Sequence, residues 1–205
     1  FIYAEGAQEA FETAEVTEEG IKVVVDGYQS TGNLGALINL GTNNKQSEVH
    51  IVAGSSFTNN KISGNDWHDG AALSIWQQGT LGESAPNHTI TGTTFTNNVV
   101  EGDGAGGAIA FLSNGKISKE GSTTISNSTF TGNKYNGDNE LAGGGAIFIE
   151  GTTVNIVDGT TFSENESEKN GGAIAVRSTE SDLAVDGASS VSYTHLRAHE
   201  TPEHL

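Results

Sequence analysis

The sequence lacks cysteine and methionine, and it contains only two prolines among 205 residues. Without cysteine there is no disulfide framework and no thiolate metal site. Because there is no methionine and the chain opens with Phe1, we expect an N-terminus that has been processed or cut. No apolar run reaches the length of about 18 residues that a membrane-spanning helix needs, so none is predicted in this chain.

Basic residues are also scarce. Nine Lys and Arg stand against 26 Asp and Glu, which gives a formal net charge of −17. Binding of nucleic acid, and docking on anionic lipid, both need clusters of Lys and Arg. The charge balance therefore predicts that neither is a partner. An acidic chain rich in Gly, Thr and Asn could be disordered, but the apolar residues here are placed too regularly for that.

The last fifteen residues, 191–205, differ abruptly in composition from the rest of the chain. Val191 to Thr201 resembles, residue for residue, the in-frame translation of a transposase end joined to a sequencing-library primer. We therefore interpret 191–205 as a non-native tail and leave it out of the fold prediction. The alternative is a His-rich metal-binding tail that uses His195, His199 and His204.

Two short motifs alternate along the remaining chain. The F-x-x-N motif occurs at Phe57–Asn60, Phe95–Asn98, Phe130–Asn133 and Phe162–Asn165. The G-G-A-I motif supplies Gly106, Gly107 and Ile109, then Gly144, Gly145 and Ile147, then Gly171, Gly172 and Ile174, with weaker copies at 34–37 and 70–73. Successive copies of this second motif are 27 to 38 residues apart, which excludes a helical solenoid of fixed unit length. The strict alternation indicates a repeat architecture.

Residue alternation predicts what each motif does. In the G-G-A-I-A-V stretch, Ile174 and Val176 fall on one face of a strand, and Ala173 and Ala175 on the other. Stacked coil on coil, the bulky residues would form an interior ladder, with the glycines at a tight corner. The Phe of F-x-x-N would fill the interior at another corner. Its Asn would take a left-handed turn conformation and join an asparagine ladder. The sequence thus predicts an all-β fold, a right-handed parallel β-helix of about five coils.

The repeat divides the chain into three segments. Residues 1–20 are a lead-in, either a short helix or a degenerate coil or cap, and residues 21–190 form the β-helix. The stretch V-D-G-A-S-S at 185–190 copies V-D-G-T-T-F at 157–162, so the next Phe is due at position 190 or 191. Tail-like sequence begins there instead. We therefore expect a solenoid truncated at both ends.

Acidic residues concentrate in segments predicted to be protruding loops. These loops are residues 61–69, 99–105, 134–143 and 166–170, with a second set at 77–88 and 113–121. Stacking would align the acids of the first set into a stripe of Asp66, Asp69, Asp103, Asp138, Glu140 and Glu168. Such a stripe is a candidate calcium site, or a source of paired carboxylates for glycoside cleavage. No calcium-loop motif is present, and a solvated acidic face is the simpler interpretation.

Other candidate residues are weaker. Trp67, Trp76, Tyr135 and Phe148 are candidate exposed aromatics that could stack on sugars or contact a protein, with packing beneath loops as the alternative. His50 and His88 lack metal-ligand spacing, and there is no G-x-S-x-G nucleophile motif. Polysaccharide lyases that share this fold use Arg or Lys beside clustered acids. Here Arg177 is the only Arg before the tail, which weakens a lyase interpretation. We expect no catalytic residue and no cofactor apart from the calcium candidate.

Over residues 34–190, the alternating motifs resemble the repeat of chlamydial polymorphic outer membrane proteins, which also occurs in adhesin-like and autotransporter passenger domains. The resemblance implies a secreted or cell-surface β-helix, carried by a translocator barrel or another anchor in a missing C-terminal part. It also implies adhesion to a protein or glycan on a host or neighbouring cell, without enzymatic activity. The alternatives are a carbohydrate-active enzyme, either a polysaccharide lyase or a glycoside hydrolase, and a purely structural spacer.

Overall fold

A computed structural model describes residues 11–18, 21–26, 29–30, 38–43, 50–78, 87–113, 122–177, 182–187 and 189–191. The regular elements in these residues are all strands. In chain order they are β1 (Phe11–Val16), β2 (Ile21–Asp26), β3 (Gln29–Ser30), β4 (Ile38–Asn43), β5 (His50–Ile51), β6 (Ser56–Thr58), β7 (Lys61–Asp69), β8 (Leu73–Gln78), β9 (His88–Thr91), β10 (Thr94–Thr96), β11 (Val99–Ala105), β12 (Ile109–Ser113), β13 (Ser122–Ser126), β14 (Thr129–Thr131), β15 (Lys134–Asn136), β16 (Ile147–Glu150), β17 (Thr153–Ile156), β18 (Thr161–Ser163), β19 (Glu166–Ser167), β20 (Ile174–Arg177), β21 (Asp182–Val185) and β22 (Ser189–Val191). Within this described part, no helix is long and apolar enough to cross a bilayer.

The strands stack into three sheets that the chain visits in turn. Sheet A has two arms that share β2: the first arm contains β5, β9, β13, β17 and β21, and the second contains β6, β10, β14, β18 and β22. Sheet B contains β3, β7, β11, β15 and β19, and sheet C contains β4, β8, β12, β16 and β20. One coil therefore runs through the first arm, the second arm, sheet B and sheet C. All these pairings are parallel, which confirms the predicted parallel β-helix.

The N-terminal strand breaks this pattern. β1 pairs antiparallel with β2, from Phe11 opposite Asp26 to Val16 opposite Ile21. Residues 11–16 are thus neither a helix nor a parallel coil. They lie at the edge of sheet A, where an antiparallel strand occupies the hydrogen-bonding groups that a further parallel coil would need.

The phenylalanines form a continuous interior stack. Phe57, Phe95, Phe130 and Phe162 occupy equivalent positions in successive strands of the second arm, and all four are buried. Neighbouring ring centroids are 4.7 to 5.1 Å apart, and the ring planes differ by only 3 to 7°. The backbone of Ser190 pairs with that of Phe162. Position 190 is therefore where the next Phe is due, as the repeat predicted.

The aliphatic ladder of sheet C is confirmed as well. Its two columns are Leu73, Ile109, Ile147 and Ile174, and Ile75, Phe111, Ile149 and Val176. Except for Val176, these columns form the main core together with the stacked phenylalanines and the first-arm residues Ile51, Ile90, Ile125 and Ile156. Burial is complete through the middle coils and weakens only in the last one, where Val176 is 45% exposed.

The asparagine ladder is also confirmed, with Asn60, Asn98, Asn133 and Asn165 all buried. Each of the first three donates its side-chain amide to the Oδ1 of the next Asn at 2.8 to 2.9 Å. The same Oδ1 accepts the backbone N–H of the preceding Asn. The later three amides also donate to the carbonyl of a Phe one coil below, at 2.9 to 3.0 Å. The ladder thus ties the same corner of four coils together.

The left-handed conformation predicted for these asparagines is wrong by one position. Positive φ angles belong instead to the preceding residues: Asn59 (56°), Asn97 (54°), Gly132 (64°) and Glu164 (57°). The physical reason is that the last two residues of the motif have different roles in the turn. The third residue of the motif reverses the backbone, and this leaves the fourth residue in a conformation that directs its amide into the ladder.

Glu164 is the least suitable residue type among these four turn positions. A left-handed conformation costs an L-residue with a Cβ roughly 1–2 kcal/mol, against about 0.5–1 kcal/mol of extra chain entropy for Gly. We expect Glu164→Gly to raise the free energy of unfolding by about 0.5–1 kcal/mol, or a thermal midpoint gain of about 2–4 °C, measured by circular dichroism. Glu168→Gly is the control, because Glu168 is exposed without a positive φ. If Glu168→Gly raised the free energy of unfolding as much as Glu164→Gly does, the loss of a negative charge would explain both gains.

The glycine pairs serve two different purposes. The first glycine of a pair makes the predicted tight corner, since Gly144 has a φ of +76°. The second glycine is required by close packing between coils. A Cβ at Gly145 would collide with the carbonyl oxygen of Gly172 in the next coil. Replacing either glycine with a larger residue would therefore strain the backbone or push two coils apart.

The segments predicted to be loops after each F-x-x-N begin instead as the strands of sheet B. Residues 61–69 and 99–105 are strands throughout, and 134–136 and 166–167 are shorter ones. Their inward residues include Ile62, Val100 and Tyr135, which belong to a second core. This core uses the other face of sheet C, where Ala110 and Phe148 alternate with the main-core residues. Sheet C is thus buried on both faces, which the alternation argument did not anticipate.

Candidate functional site

Variable loops emerge at particular corners of the coil. In each coil that has an F-x-x-N motif, the connection from the second arm to sheet B is the two residues that end the motif. This corner is constant because the asparagine ladder and the left-handed turn occupy it. The connection between the two arms varies slightly, from two residues at 92–93 and 127–128 to four at 157–160. The larger differences in length fall on the two remaining corners.

The corner from sheet C to sheet A has connections of two to nine residues. Its connections are residues 44–49, 79–87, 114–121, 151–152 and 178–181. The two longest, 79–87 and 114–121, fall within the predicted loops 77–88 and 113–121. All their residues except Asn87 lie outside the described part. Because successive coils stack in register, the strand ends that flank these connections align along one edge. This edge, defined by the flanking strand ends Gln78, His88, Ser113 and Ser122, is the candidate binding edge.

The corner from sheet B to sheet C varies as widely, from the three residues 106–108 to the ten-residue connection 137–146. Its tip is held in place by the next coil. The side-chain amide of Asn170 donates to the carbonyls of Glu140 and Ala142, at 3.0 and 3.1 Å. Leu141 at the tip is 61% exposed, which is unusual for a large apolar side chain in this protein. The tip is thus a second ordered protrusion.

The six acidic candidates do not form the predicted continuous stripe. The amide of Asp138 donates to the carbonyl of Gly102 at 3.3 Å, which sets Asp138 level with Asp103 on the coil below. Asp69 pairs through its backbone with Ala105 instead, and the side chain of Asp66, in the same strand, lies outside the described ones. The cause is a register shift between Gly102 and Gly104, together with the unequal connections that follow.

Glu140 and Glu168 are also displaced from that stripe. Glu140 forms an ion pair with Lys169 on the next coil. The amide of Glu168 donates to the carbonyl of Tyr135, so Glu168 stands level with residue 136. Across the described ranges, no three His, Asp or Glu side chains come close enough together to hold a metal ion.

The scarce cations bridge neighbouring coils. Lys61 pairs with Glu101 at 2.8 Å, and Lys134 with Glu166 at 2.9 Å, along sheet B. Arg177 reaches Glu150 at 3.5 Å on sheet C. These side chains are partly exposed, so each pair contributes at most about 1 kcal/mol. Arg177, the residue that a lyase would need beside its acids, is thus engaged on a different sheet from Asp103.

The exposed-aromatic hypothesis is wrong for two of its four members. Tyr135 and Phe148 are fully buried in the second core. Trp67 and Trp76 lie in β7 and β8, but their side chains fall outside the described ones. His88 is buried in the first arm, and the Nδ1 of His50 lies 2.9 Å from the Thr89 hydroxyl. Both histidines therefore have structural positions in the strands of sheet A.

Comparison with known proteins identifies one repeat. Residues 159–177 match the family model of the Chlamydia polymorphic membrane protein repeat. This stretch contains one F-x-x-N motif, Phe162–Asn165, and one glycine motif, Gly171–Ile174, so it supports the resemblance drawn from the motifs. No curated protein and no solved structure matches the chain. The repeat is that of bacterial outer-membrane proteins, which indicates a general location at the outer membrane or cell surface.

Proposed function

We propose that this chain is a segment of an adhesin-type passenger, a rigid rod that presents binding loops to a protein or glycan on a host or neighbouring cell. The observation that carries the proposal is the separation of constant from variable corners. Buried ladders of Phe, Asn and aliphatic residues hold four coils in register. The connections at the sheet C to sheet A corner differ from coil to coil. Binding residues are commonly placed on loops that a rigid scaffold positions.

The chemistry of the rod surface agrees with this role. Acidic residues exceed basic ones by 17, and four described cations are already paired with acids on neighbouring coils. A surface of this charge stays soluble and resists nonspecific association. Specific contacts are then left to the loops of the binding edge and to the 137–146 protrusion.

The binding edge can be shortened without touching the ladders. In one variant, residues 79–87 and 114–121 are each replaced by Gly-Thr, the sequence of the natural short connection at 151–152. Beads coated with the full chain or with this variant are applied to epithelial cell monolayers and washed. We expect retention of the variant to fall at least about tenfold, as it does when contacts worth 1.4 kcal/mol are lost.

The matched control replaces Thr94 and Thr129 with Ala. Both lie on the outer face of the second arm, away from the shortened loops. This control should be retained like the parent chain, and circular dichroism should show the same strand content for all three proteins. Equal retention of the loop-shortened variant would refute an adhesive role for this edge and favour the spacer role.

One observation favours a second candidate, a carbohydrate-active enzyme. Asp138, two residues beyond the end of β15, stands level with Asp103 of β11. Backbones of adjacent coils are about 4.8 Å apart, and the carboxyls of a retaining glycosidase are separated by about 5–5.5 Å. The test is incubation of the chain with a panel of acidic polysaccharides, followed by assay of new reducing ends. Cleavage that disappears in both Asp103→Asn and Asp138→Asn would replace the adhesin proposal with this one.

A further inference from the structure

The second arm of sheet A presents a regular array of hydroxyl groups on its outer side. In β6, β10, β14 and β18 the middle residue is the buried Phe, and the residues on either side of it face outward. These flanking residues are Ser or Thr in all four strands, and their backbones pair level from coil to coil. We call them the hydroxyl face: Ser56 and Thr58, Thr94 and Thr96, Thr129 and Thr131, Thr161 and Ser163.

The hydroxyl face is flat and evenly spaced. The Phe rings directly beneath it are 4.7 to 5.1 Å apart, and their planes differ by only 3 to 7°. Successive coils are therefore separated by one strand spacing and are almost untwisted here. Within a strand, the two outward residues are two positions apart, which is about 6.6 Å. The array is thus a two-dimensional lattice with one repeat along the rod and another across it.

The side chains of this lattice are held in order. The Thr131 Oγ1 lies 3.0 Å from the Ser163 Oγ in the next coil. On the first arm alongside, the Thr91 Oγ1 lies 3.2 Å from the Ser126 Oγ in the same way. Thr is stiff at χ1 because its Cβ is branched, and the buried Phe stack fixes the backbone beneath it. Little conformational entropy is therefore left to lose when the face binds a ligand.

The chemistry of the hydroxyl face limits what that ligand can be. Each unit of the array offers the same hydroxyl groups, so the face fits a ligand that itself repeats at the same spacings. Its residues carry no charge, which disfavours an ionic mineral. They include no aromatic ring, the flat apolar surface on which a sugar would stack.

Ice meets these requirements. The water molecules on a prism face of ordinary hexagonal ice repeat in two directions at spacings close to those of the hydroxyl face. A Ser or Thr hydroxyl both donates and accepts hydrogen bonds, so it can take the place of a lattice water. Each contact is weak, but once one is made the others become intramolecular and add to the affinity.

We propose that the hydroxyl face binds the prism faces of ice. The inference rests on the second arm alone and is independent of what the loops bind. Ice is absent from the cell-adhesion assay, so the second arm stays an inert surface there. Loss of one activity would leave the other unchanged.

The test measures how the full chain acts on growing ice. A dilute solution of the chain is frozen slowly from one side, and the protein is assayed in the ice and in the remaining liquid. We expect the chain to concentrate in the ice, to shape single crystals into prism facets, and to separate their melting and freezing temperatures. Exclusion of the chain from ice to the same extent as serum albumin would overturn the proposal.

Substitutions then locate the binding surface. Thr96→Tyr with Thr131→Tyr places two rings at the centre of the hydroxyl face, which hold the rest of it off the ice. The gap between melting and freezing temperatures should fall at least about tenfold, because the contacts no longer form together. Thr96→Lys, a smaller disturbance to the fold, should lower it as well. The control is Asn136→Tyr on the outer side of sheet B, which should leave the gap unchanged, and circular dichroism should show the same strand content for all variants.

Three further results would contradict the proposal. The first is an unchanged gap in both the double-Tyr variant and Thr96→Lys. The second is an equal loss in Asn136→Tyr. The third is sedimentation of the chain with crystalline cellulose or chitin that the double-Tyr variant abolishes, since this would assign the hydroxyl face to a polysaccharide surface.

Discussion

Asn133→Ala is expected to lower the free energy of unfolding by about 3–5 kcal/mol, because it leaves buried polar groups without partners. The Asn133 side chain donates to the Asn165 Oδ1 at 2.9 Å and to the Phe95 carbonyl at 3.0 Å. Its Oδ1 accepts from the Asn98 amide and from the Asn98 backbone N–H. Ala at this position removes all four hydrogen bonds in a site from which water is excluded.

Two readouts separate this effect from a general loss of packing. Urea unfolding followed by circular dichroism gives the change in stability. Amide hydrogen exchange gives its location, since the Asn98 N–H loses its acceptor and should exchange faster than the amides of the following strand β11. Asn133→Asp should destabilise at least as strongly at neutral pH. It keeps the shape of the side chain but replaces its donor with an oxygen that faces two other oxygens.

The matched control is Asn155→Ala. Asn155 is a half-buried residue on the outer side of the first arm, outside the ladder. Surface substitutions of this kind usually change stability by less than about 0.5 kcal/mol. A cost for Asn133→Ala as small as that of the control would mean that the ladder contributes little, and that the coils are held by apolar packing alone.

The ladders could be predicted from sequence because each ladder residue recurs at the same point of every coil. Phe95 and Phe130 mark one position of the coil, and Asn98 and Asn133 mark another. The repeat can therefore be recognised even though coil lengths differ. The turn conformation escaped prediction because its residue type varies: Asn, Gly and Glu all occupy the left-handed position. Only the backbone φ angles show that these dissimilar residues occupy the same turn position.

The second core escaped prediction for a related reason. Sheet B contributes one inward residue soon after each Asn, and Ile62, Val100 and Tyr135 differ in size and character. A single apolar residue followed by a polar stretch reads as a loop, because alternation must extend over several residues to indicate a strand. The weak signal was the apolar residue two positions beyond three of the four ladder asparagines, with Ser167 at the fourth.

The candidate site was less predictable than the fold. The acidic stripe assumed that residues equally distant from their motifs would stand level. The register shift after Gly102 and the long 137–146 connection break that assumption. Between ladders, side chains follow the local path of the chain rather than the repeat. The surface of such a rod therefore varies between coils while the interior does not, which is what a scaffold for diverse binding loops requires.

The interior of that scaffold is most sensitive at the centre of the aromatic stack, where Phe130→Ala is expected to cost about 3–5 kcal/mol. The Phe130 ring lies between those of Phe95 and Phe162, with centroid distances of 4.7 and 4.8 Å. Removing it takes away the buried apolar area and both ring contacts. Neighbouring coils cannot collapse into the gap, because their backbones are fixed by parallel hydrogen bonding on both sides of β14.

Two variants make this interpretation of the Phe130→Ala result specific. Phe130→Leu restores most of the volume and should recover more than half of the loss, whereas a recovery near zero would assign the effect to ring stacking alone. Phe162→Ala removes a ring that stacks on only one described Phe, so it should cost less than Phe130→Ala. Equal costs at the two positions would contradict a stack whose strength depends on having a neighbour on each side. Thermal and urea unfolding of the three variants, compared with the parent chain, distinguish these outcomes.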